Sequence, residues 1–212
     1  MRLDNPAPGL QIAQPERGFR YGSEAFWLVG FALETGPVDR ALDLGTGSGI
    51  AAMLLASLGV HATGIDVRPE WEPLWAKTLA ASSHRAALER RDVRDQRGSW
   101  PLVVSNPPFF VAGSGPTAED GWKAAARTET TGTLGDFVAA ARRCLSPGGR
   151  ACFVIPVERV GELDRPRRIV RVGLRRALVE IVEGDCERVE ETEVAERHPR
   201  VAGWYAAVGA RF

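Results

Sequence analysis

The chain has 212 residues, 44% apolar and 25% charged, and its 27 basic and 27 acidic side chains give a net charge of zero. That length and mixture suit one compact domain with a full core and exclude disordered and fibrous classes. No apolar run approaches the roughly 18 residues that a bilayer span needs, and Met1-Arg2-Leu3-Asp4-Asn5-Pro6 is no hydrophobic leader, so the expectation is a cytoplasmic protein with no membrane partner.

Cys144, Cys152 and Cys186 are widely spaced and form no CxxC pair, which implies a reducing compartment and no metal site. Cys144 and Cys152 fall in apolar patterns and read as small core residues rather than nucleophiles. Neutral net charge neither selects nor excludes a nucleic acid, since binding depends on a local patch.

In chain order, Ser23 stands where it would N-cap a helix through Trp27, Leu28, Phe31 and Ala32 that ends at Gly36-Pro37. Arg40 to Leu44 is a short apolar strand that breaks into Gly45-Thr46-Gly47-Ser48-Gly49, and a helix follows from Ile50 to Leu58. His61 to Val67 reads as a strand and Pro69 to Leu79 as a helix with Glu70 and Glu72 in its first turn. Strands are expected at Ala87 to Arg90, Leu102 to Ser105 and Ala151 to Ile155, with a helix from Leu134 to Leu145 before Pro147-Gly148-Gly149. After Pro156 come two closely spaced strands, Ile169 to Val172 and Arg176 to Val182, then an acidic stretch and a final helix around Ala202 to Val208. The alternation implies an α/β, doubly wound, mostly parallel sheet in one domain over residues 1–212. Residues 1–36 form an entering segment and helix, and 157–212 an antiparallel edge and C-terminal cap. Ligands of such sheets bind outside the carboxyl ends of the strands. Val111 to Thr131 is the least regular segment and reads as a loop.

The glycine turn offers backbone N–H groups to a ligand, but Asp43 just before it would repel a pyrophosphate and attract an ammonium. The spacing is GxGxG through Gly49, with Ile50 where a dinucleotide fingerprint needs its third glycine. Asp66, with Val67 beside it, ends the next strand roughly 20 residues on, where a carboxylate accepts both hydrogens of a ribose diol. Asp92 ends a third strand and can accept from an adenine amino group while the Val93 amide addresses a ring nitrogen. Asp92 also stands among Arg90, Arg91 and Arg94, where it can simply be a solvated ion pair. An adenosine joined to a positively charged amino acid describes S-adenosylmethionine, with S-adenosyl-L-homocysteine as product.

Asn106-Pro107-Pro108-Phe109 follows the apolar strand Leu102 to Ser105. Its two prolines stiffen the turn and remove two N–H donors, so the local carbonyls act as undisturbed acceptors. The Asn106 side-chain carbonyl and the Pro107 backbone carbonyl suit the two hydrogens of an exocyclic amine, and Phe109 offers a face to an extruded base. The expected chemistry is in-line methyl transfer without a covalent enzyme intermediate.

These motifs resemble class I methyltransferases, and among them the bacterial tRNA(valine) adenine N6-methyltransferase family. The resemblance runs roughly from Gly18 to Val182 and includes Gly18-Phe19-Arg20-Tyr21-Gly22-Ser23, Ala126-Arg127-Thr128-Glu129, Pro147-Gly148-Gly149-Arg150 and Pro156. It implies a seven-stranded Rossmann-like sheet, cofactor contacts from Tyr21, Asp43, Gly45, Thr46, Gly47, Gly49, Asp66, Val67, Asp92, Val93 and Asn106, a lid role for Tyr21, and substrate contact from Phe109 and Arg127. The implied substrate is the adenosine next to the anticodon of a tRNA. The chain departs from the family at Glu24, at Phe109 and at Ser82 or Ser83, where the family favours Asp, Tyr and Asn. Its segment from Val157 to Arg176 is also short.

The densest basic stretch is Arg165, Arg167, Arg168, Arg171, Arg175 and Arg176, with Arg167, Arg168 and Arg171 the expected RNA contacts. A solvated face balanced by Glu180 to Glu196 is the competing reading, and Arg85, Arg90, Arg91 and Arg94 form a second basic group. The same Asn-Pro-Pro-aromatic turn also serves enzymes that methylate a protein glutamine amide or a ribosomal RNA guanine amine. A catalytically silent partner subunit, an accessory protein and an NAD-dependent dehydrogenase are the remaining alternatives.

Overall fold

The computed structural model describes residues 1–16, 20–108, 132–184, 187–188 and 190–210. Its strands are β1 (Arg2–Asp4), β2 (Ile12–Gln14), β3 (Arg40–Leu44), β4 (His61–Asp66), β5 (Ala87–Arg90), β6 (Trp100–Ser105), β7 (Leu145–Pro156), β8 (Arg168–Val172), β9 (Arg176–Val182) and β10 (Glu190–Val194). The helices are α1 (Glu24–Leu33), α2 (Ile50–Ser57), α3 (Glu72–Ala81), α4 (Leu134–Cys144) and α5 (Pro199–Ala207). β1 and β2 pair antiparallel as a separate ribbon, and the remaining strands form an eight-stranded sheet in the order β10-β8-β9-β7-β6-β3-β4-β5. Neighbours pair parallel except at β7–β9 and β8–β9, so β9 alone runs against the rest.

This is the mostly parallel α/β sheet that the alternating pattern implies, with one strand more than the expected seven. The extra strand is β10, drawn from the acidic stretch, so the sheet's edge is β10 running parallel to β8, and antiparallel β9 lies inside. Glu190 pairs with Arg168 and Arg200, while Glu191 and Glu193 stay exposed, which lets a charged segment occupy an edge and discourages pairing with another chain.

Side chains alternate between the two faces of the sheet. Ala41, Leu102, Val104, Cys152 and Val154 pack toward α1 and α2, while Leu42, Leu44, Val103, Phe153 and Ile155 pack toward α4. Each fully buried aliphatic side chain stabilises the fold by about 1.5 to 3 kcal/mol. α1 is buried from Ala25 to Ala32, because α5 covers the side turned away from the sheet. Their approach is close enough that a Cβ on Gly30 would lie 2.3 Å from the Cβ of Trp204.

Ser23 sits at the start of α1 but makes no side-chain cap, and its hydroxyl bonds Tyr205 instead. α3 is entered through a 3-10 turn at Pro69–Trp71. α4 ends at Cys144, so Pro147-Gly148-Gly149 lies within β7 rather than beyond a helix end. The β1–β2 ribbon is tied to α3, where Thr78 Oγ1 accepts from the Ala13 amide at 2.9 Å and Ser82 Oγ from the Gln11 amide at 2.9 Å. Ser82 thus has a structural partner here. Cys144 and Cys152 are fully buried, and burial pushes both thiols up. No helix among the described residues is long and apolar enough to cross a membrane.

Candidate active site

The carboxyl ends of β3, β4 and β6 open into one cleft. Its walls include Tyr21, Asp43, Gly45, Thr46, Gly47, Asp66, Val67, Val93, Asn106 and Pro108, residues that the sequence motifs scatter over almost ninety positions. The turn after β3 can be built only from glycine at its key points. Gly45 and Gly49 have φ of +70° and +85°, and a Cβ on either would press on Phe137 or Leu88 at 2.8 and 3.0 Å. Gly49 does not line the cleft; it precedes α2 as its N-cap. The turn is held by the Thr46 amide on the Ile65 carbonyl at 2.8 Å and by Trp75 Nε1 on the Gly47 carbonyl at 2.8 Å.

Asp43 is only 3% exposed. Its Oδ2 accepts from Thr46 Oγ1 and from the Ala52 amide at 3.2 Å, while Oδ1 has no donor among the described residues. Burial pushes its pKa up to about 7; the two hydrogen bonds pull it down and nearby Asp66 adds a further upward push. A carboxyl poised in this way, with one free oxygen on a cleft wall, fits a ligand's ammonium group.

Asp66 takes the Gly47 amide at 3.1 Å on Oδ2 and the Arg68 amide at 3.0 Å on Oδ1. The Arg68 guanidinium adds Nε at 3.1 Å and Nη2 at 3.2 Å, and it lies 4.9 Å from the Trp71 ring centre. A ribose diol on Asp66 therefore has to exchange with the Arg68 side chain. Asp92 does not line the cleft. It caps the 3-10 turn Val93–Asp95 and pairs with Arg94, whose hydrogen bond holds its carboxyl below the usual range. Val93, next to it, does line the cleft.

β6 leads into the Asn106-Pro107-Pro108 turn. Ser105 Oγ donates to the Leu44 carbonyl at 2.8 Å and fixes the strand end beside the glycine turn. The Asn106 Oδ1 atom is buried without a hydrogen-bond partner among the described residues. Leaving such an oxygen unsatisfied costs about 1 to 3 kcal/mol, which a bound donor relieves. Pro107 is buried and Pro108 lines the cleft. Phe109, Arg127, Trp122 and the Val111 to Thr131 loop lie outside the described residues, as do Gly18, Phe19 and Cys186.

Tyr21 stands in the cleft wall, edge-on to Phe26, and burial pushes its hydroxyl up to about 12, so it remains protonated at neutral pH. Ala25, Leu28, Ser48, Ile50, Ala51, Arg68 and Phe137 complete the walls. None of these was named as a site residue from the sequence. Ser48 and Ile50 had a signal in lying within or just after the glycine turn, and Arg68 in standing two residues after Asp66.

The basic stretch is reorganised by the fold. Arg168 is not a surface RNA contact, for it is 5% exposed and pairs with Glu34, with Glu180 at 3.1 Å and with Glu190 at 3.2 Å. It also lies over the Phe31 ring at 4.2 Å. A strand period turns every second residue inward, and at Arg168 that side meets the buried carboxylate of Glu180. Arg167 faces Glu180 at 3.6 Å and Arg171 pairs with Glu191 at 2.7 Å, both with part of the side chain exposed.

A family model described as methyltransferase small domain matches residues 25–160. A relative from Porphyromonas gingivalis (strain W83) named tRNA1(Val) (adenine(37)-N6)-methyltransferase is 32% identical over 168 residues, covering 73% of this chain and 65% of its own. A Tolumonas auensis relative of the same name is 33% identical, with coverages of 70% and 64%. The match thus spans just under two thirds of these curated relatives. Among solved structures, a predicted O-methyltransferase from Agrobacterium tumefaciens superposes with a TM-score of 0.67 at 18% identity, over 88% of this chain and 97% of that one. A ribosomal protein L11 methylase from Lactobacillus delbrueckii gives 0.57 at 18% identity, over 85% and 97%. The fold is that of these methyltransferases, and with the glycine turn, the two strand-end carboxylates and the Asn-Pro-Pro turn in one cleft, the chain belongs to the methyltransferase small domain family.

Proposed function

We propose that the chain transfers a methyl group from S-adenosylmethionine to the N6 amine of an adenine in tRNA, the adenosine next to the anticodon being the target that the relatives' names suggest. The observation that carries this reading is the buried Asn106 Oδ1, without a partner among the described residues, on the wall of the cleft that also holds Asp43 and Asp66. Bound there, S-adenosylmethionine supplies a methyl already activated by its sulfonium. Asp43 takes the ligand's ammonium on its free oxygen, and Asp66, once Arg68 moves aside, takes the ribose diol. Val93 and Val67 flank the adenine side.

Asn106 and the Pro107 carbonyl accept the two hydrogens of the amine. They hold its nitrogen in line with the methyl and disfavour delocalisation of its lone pair into the ring. Positioning of this kind lowers a barrier by roughly 7 to 11 kcal/mol at most. No strong base is required, because the amine becomes acidic only after methyl transfer and can then release its proton to solvent.

The test is incubation with radiolabelled S-adenosylmethionine and either bulk unmodified tRNA or a release factor, with Asn106→Ala as control. Label recovered as N6-methyladenosine and lost in the variant is the expected result. Label on a protein glutamine would replace the RNA reading, and label on neither would leave a silent or partner-dependent subunit.

A further inference from the structure

The turn between β8 and β9 is Gly173-Leu174-Arg175. Leu174 is 90% exposed, whereas the other large apolar side chains exposed among the described residues reach at most 47%. Arg175 is exposed too, and its guanidinium makes no hydrogen bond or ion pair with a described residue, unlike Arg171 and Arg176 beside it. The tip therefore offers an apolar side chain and a cation side by side to whatever approaches it.

The register places this tip beside the acceptor turn. Arg176 pairs with Pro156 at the carboxyl end of β7, and β6 ends at Ser105 opposite Phe153. The hairpin therefore rises about three residues, or about 10 Å, above the level from which Asn106 departs, and stands two strand spacings to its side, again about 10 Å. It is braced on three sides. The Arg175 carbonyl accepts from the Val157 amide at 3.2 Å, and the Gly173 amide donates to the Val194 carbonyl at 2.9 Å. Arg176 pairs at 3.2 Å with Glu24 in the first turn of α1, next to Ala25 of the cleft wall.

We infer that the Leu174–Arg175 tip is a nucleic-acid contact that receives the RNA flanking the target nucleotide, Leu174 against a base face and Arg175 on a phosphate. This rests on the RNA reading above. A base can reach the acceptor turn only by leaving its stack, and proteins that unstack nucleic acid insert apolar side chains such as Leu beside the opened step. A tip about 14 Å from the start of the Asn106 turn lies within reach of the adjoining nucleotides. An unpaired guanidinium complements their phosphates, whereas a glutamine on a protein loop needs neither a wedge nor a cation.

The experiment compares wild type with Leu174→Ser/Arg175→Ser, measuring the Kd for unmodified tRNA in the presence of S-adenosyl-L-homocysteine, the Kd for S-adenosyl-L-homocysteine alone, and kcat and KM for methylation. The expected result is a tRNA Kd and KM raised at least tenfold, with homocysteine-nucleoside affinity within twofold. Leu174→Phe, which keeps an apolar side chain and adds a stacking face, should retain tRNA affinity. Wild type that methylates tRNA with the double variant matching it within twofold would overturn this inference and leave the RNA reading intact. Wild type that neither binds nor methylates tRNA would overturn both. A benzophenone side chain at position 174 should crosslink to tRNA near the methylated adenosine; crosslinking only to a second copy of the chain would also overturn it.

Discussion

Replacing Asp43 by Asn isolates what the buried carboxylate does. Thr46 Oγ1 and the Ala52 amide both bond the same oxygen, so an Asn side chain can keep both through its own carbonyl. What it loses is the charge. In the folded protein burial raises the Asp43 pKa from 3.8 to about 7. The neutral form is therefore favoured by folding, and ionisation opposes it. The penalty is absent below pH 3.8, grows as pH rises through the window up to about 7, and is complete above it. At 1.36 kcal/mol per unit, that interval withholds roughly 4 kcal/mol of stability from the ligand-free protein at pH 8. Asp43→Asn escapes the penalty, so without ligand it should unfold at higher urea than wild type at pH 8, and at nearly the same urea at pH 4. Its S-adenosyl-L-homocysteine affinity should fall about 30-fold or more at pH 8, since removing one partner of a desolvated charge pair costs about 2 to 5 kcal/mol. Wild-type affinity should weaken about tenfold per pH unit below pH 7, a slope the variant lacks. Urea denaturation at the two pH values and calorimetric titration from pH 5.5 to 8 read all three quantities. A variant less stable than wild type at pH 8, or one that binds the nucleoside within threefold of wild type, would refute the reasoning.

Asn106→Ala should lower kcat for methyl transfer about a hundredfold or more while the calorimetric affinity for S-adenosyl-L-homocysteine stays within a few-fold, because the lost oxygen addresses the acceptor. Arg68→Ala frees two acceptor positions on Asp66 and should tighten S-adenosyl-L-homocysteine several-fold, by about 1 kcal/mol; calorimetry that gives weaker binding would mean the guanidinium helps hold the ligand. Gly30→Ala forces a Cβ against Trp204 and should lower the melting temperature by about 2 to 10 °C through a cost of about 1 to 3 kcal/mol. Arg168→Ala strands the carboxylates of Glu34, Glu180 and Glu190 and should cost about 3 to 5 kcal/mol in urea denaturation, without changing the tRNA Kd of the protein that remains folded.

The order of the elements and the residues at the strand ends that share the cleft were legible in local patterns. A GxGxG turn after an apolar strand has few other uses for three left-handed glycines, and Asp43 and Asp66 announce themselves by standing at strand ends. The Asn-Pro-Pro turn is readable for the same reason, since two prolines leave the backbone few conformations. Asp92 shows the limit of that logic. The same strand-end position put it next to Arg94, and a neighbour two residues away on a tight turn engages the carboxylate locally.

What the chain alone determined, then, is whatever depends on neighbours within a turn or a strand: the period that makes each element, the glycines that reverse it, and the chemistry offered at its end. Tertiary structure decided the rest, because it depends on which face meets which. Basic Arg168 reads as a surface residue until β9 brings Glu180 against it and α1 brings Glu34. The acidic stretch reads as a solvated tail until Arg168 and Arg200 give Glu190 partners and make it an edge strand. Charge in a sequence has no address; pairing across the sheet, between residues far apart in the chain, assigns one.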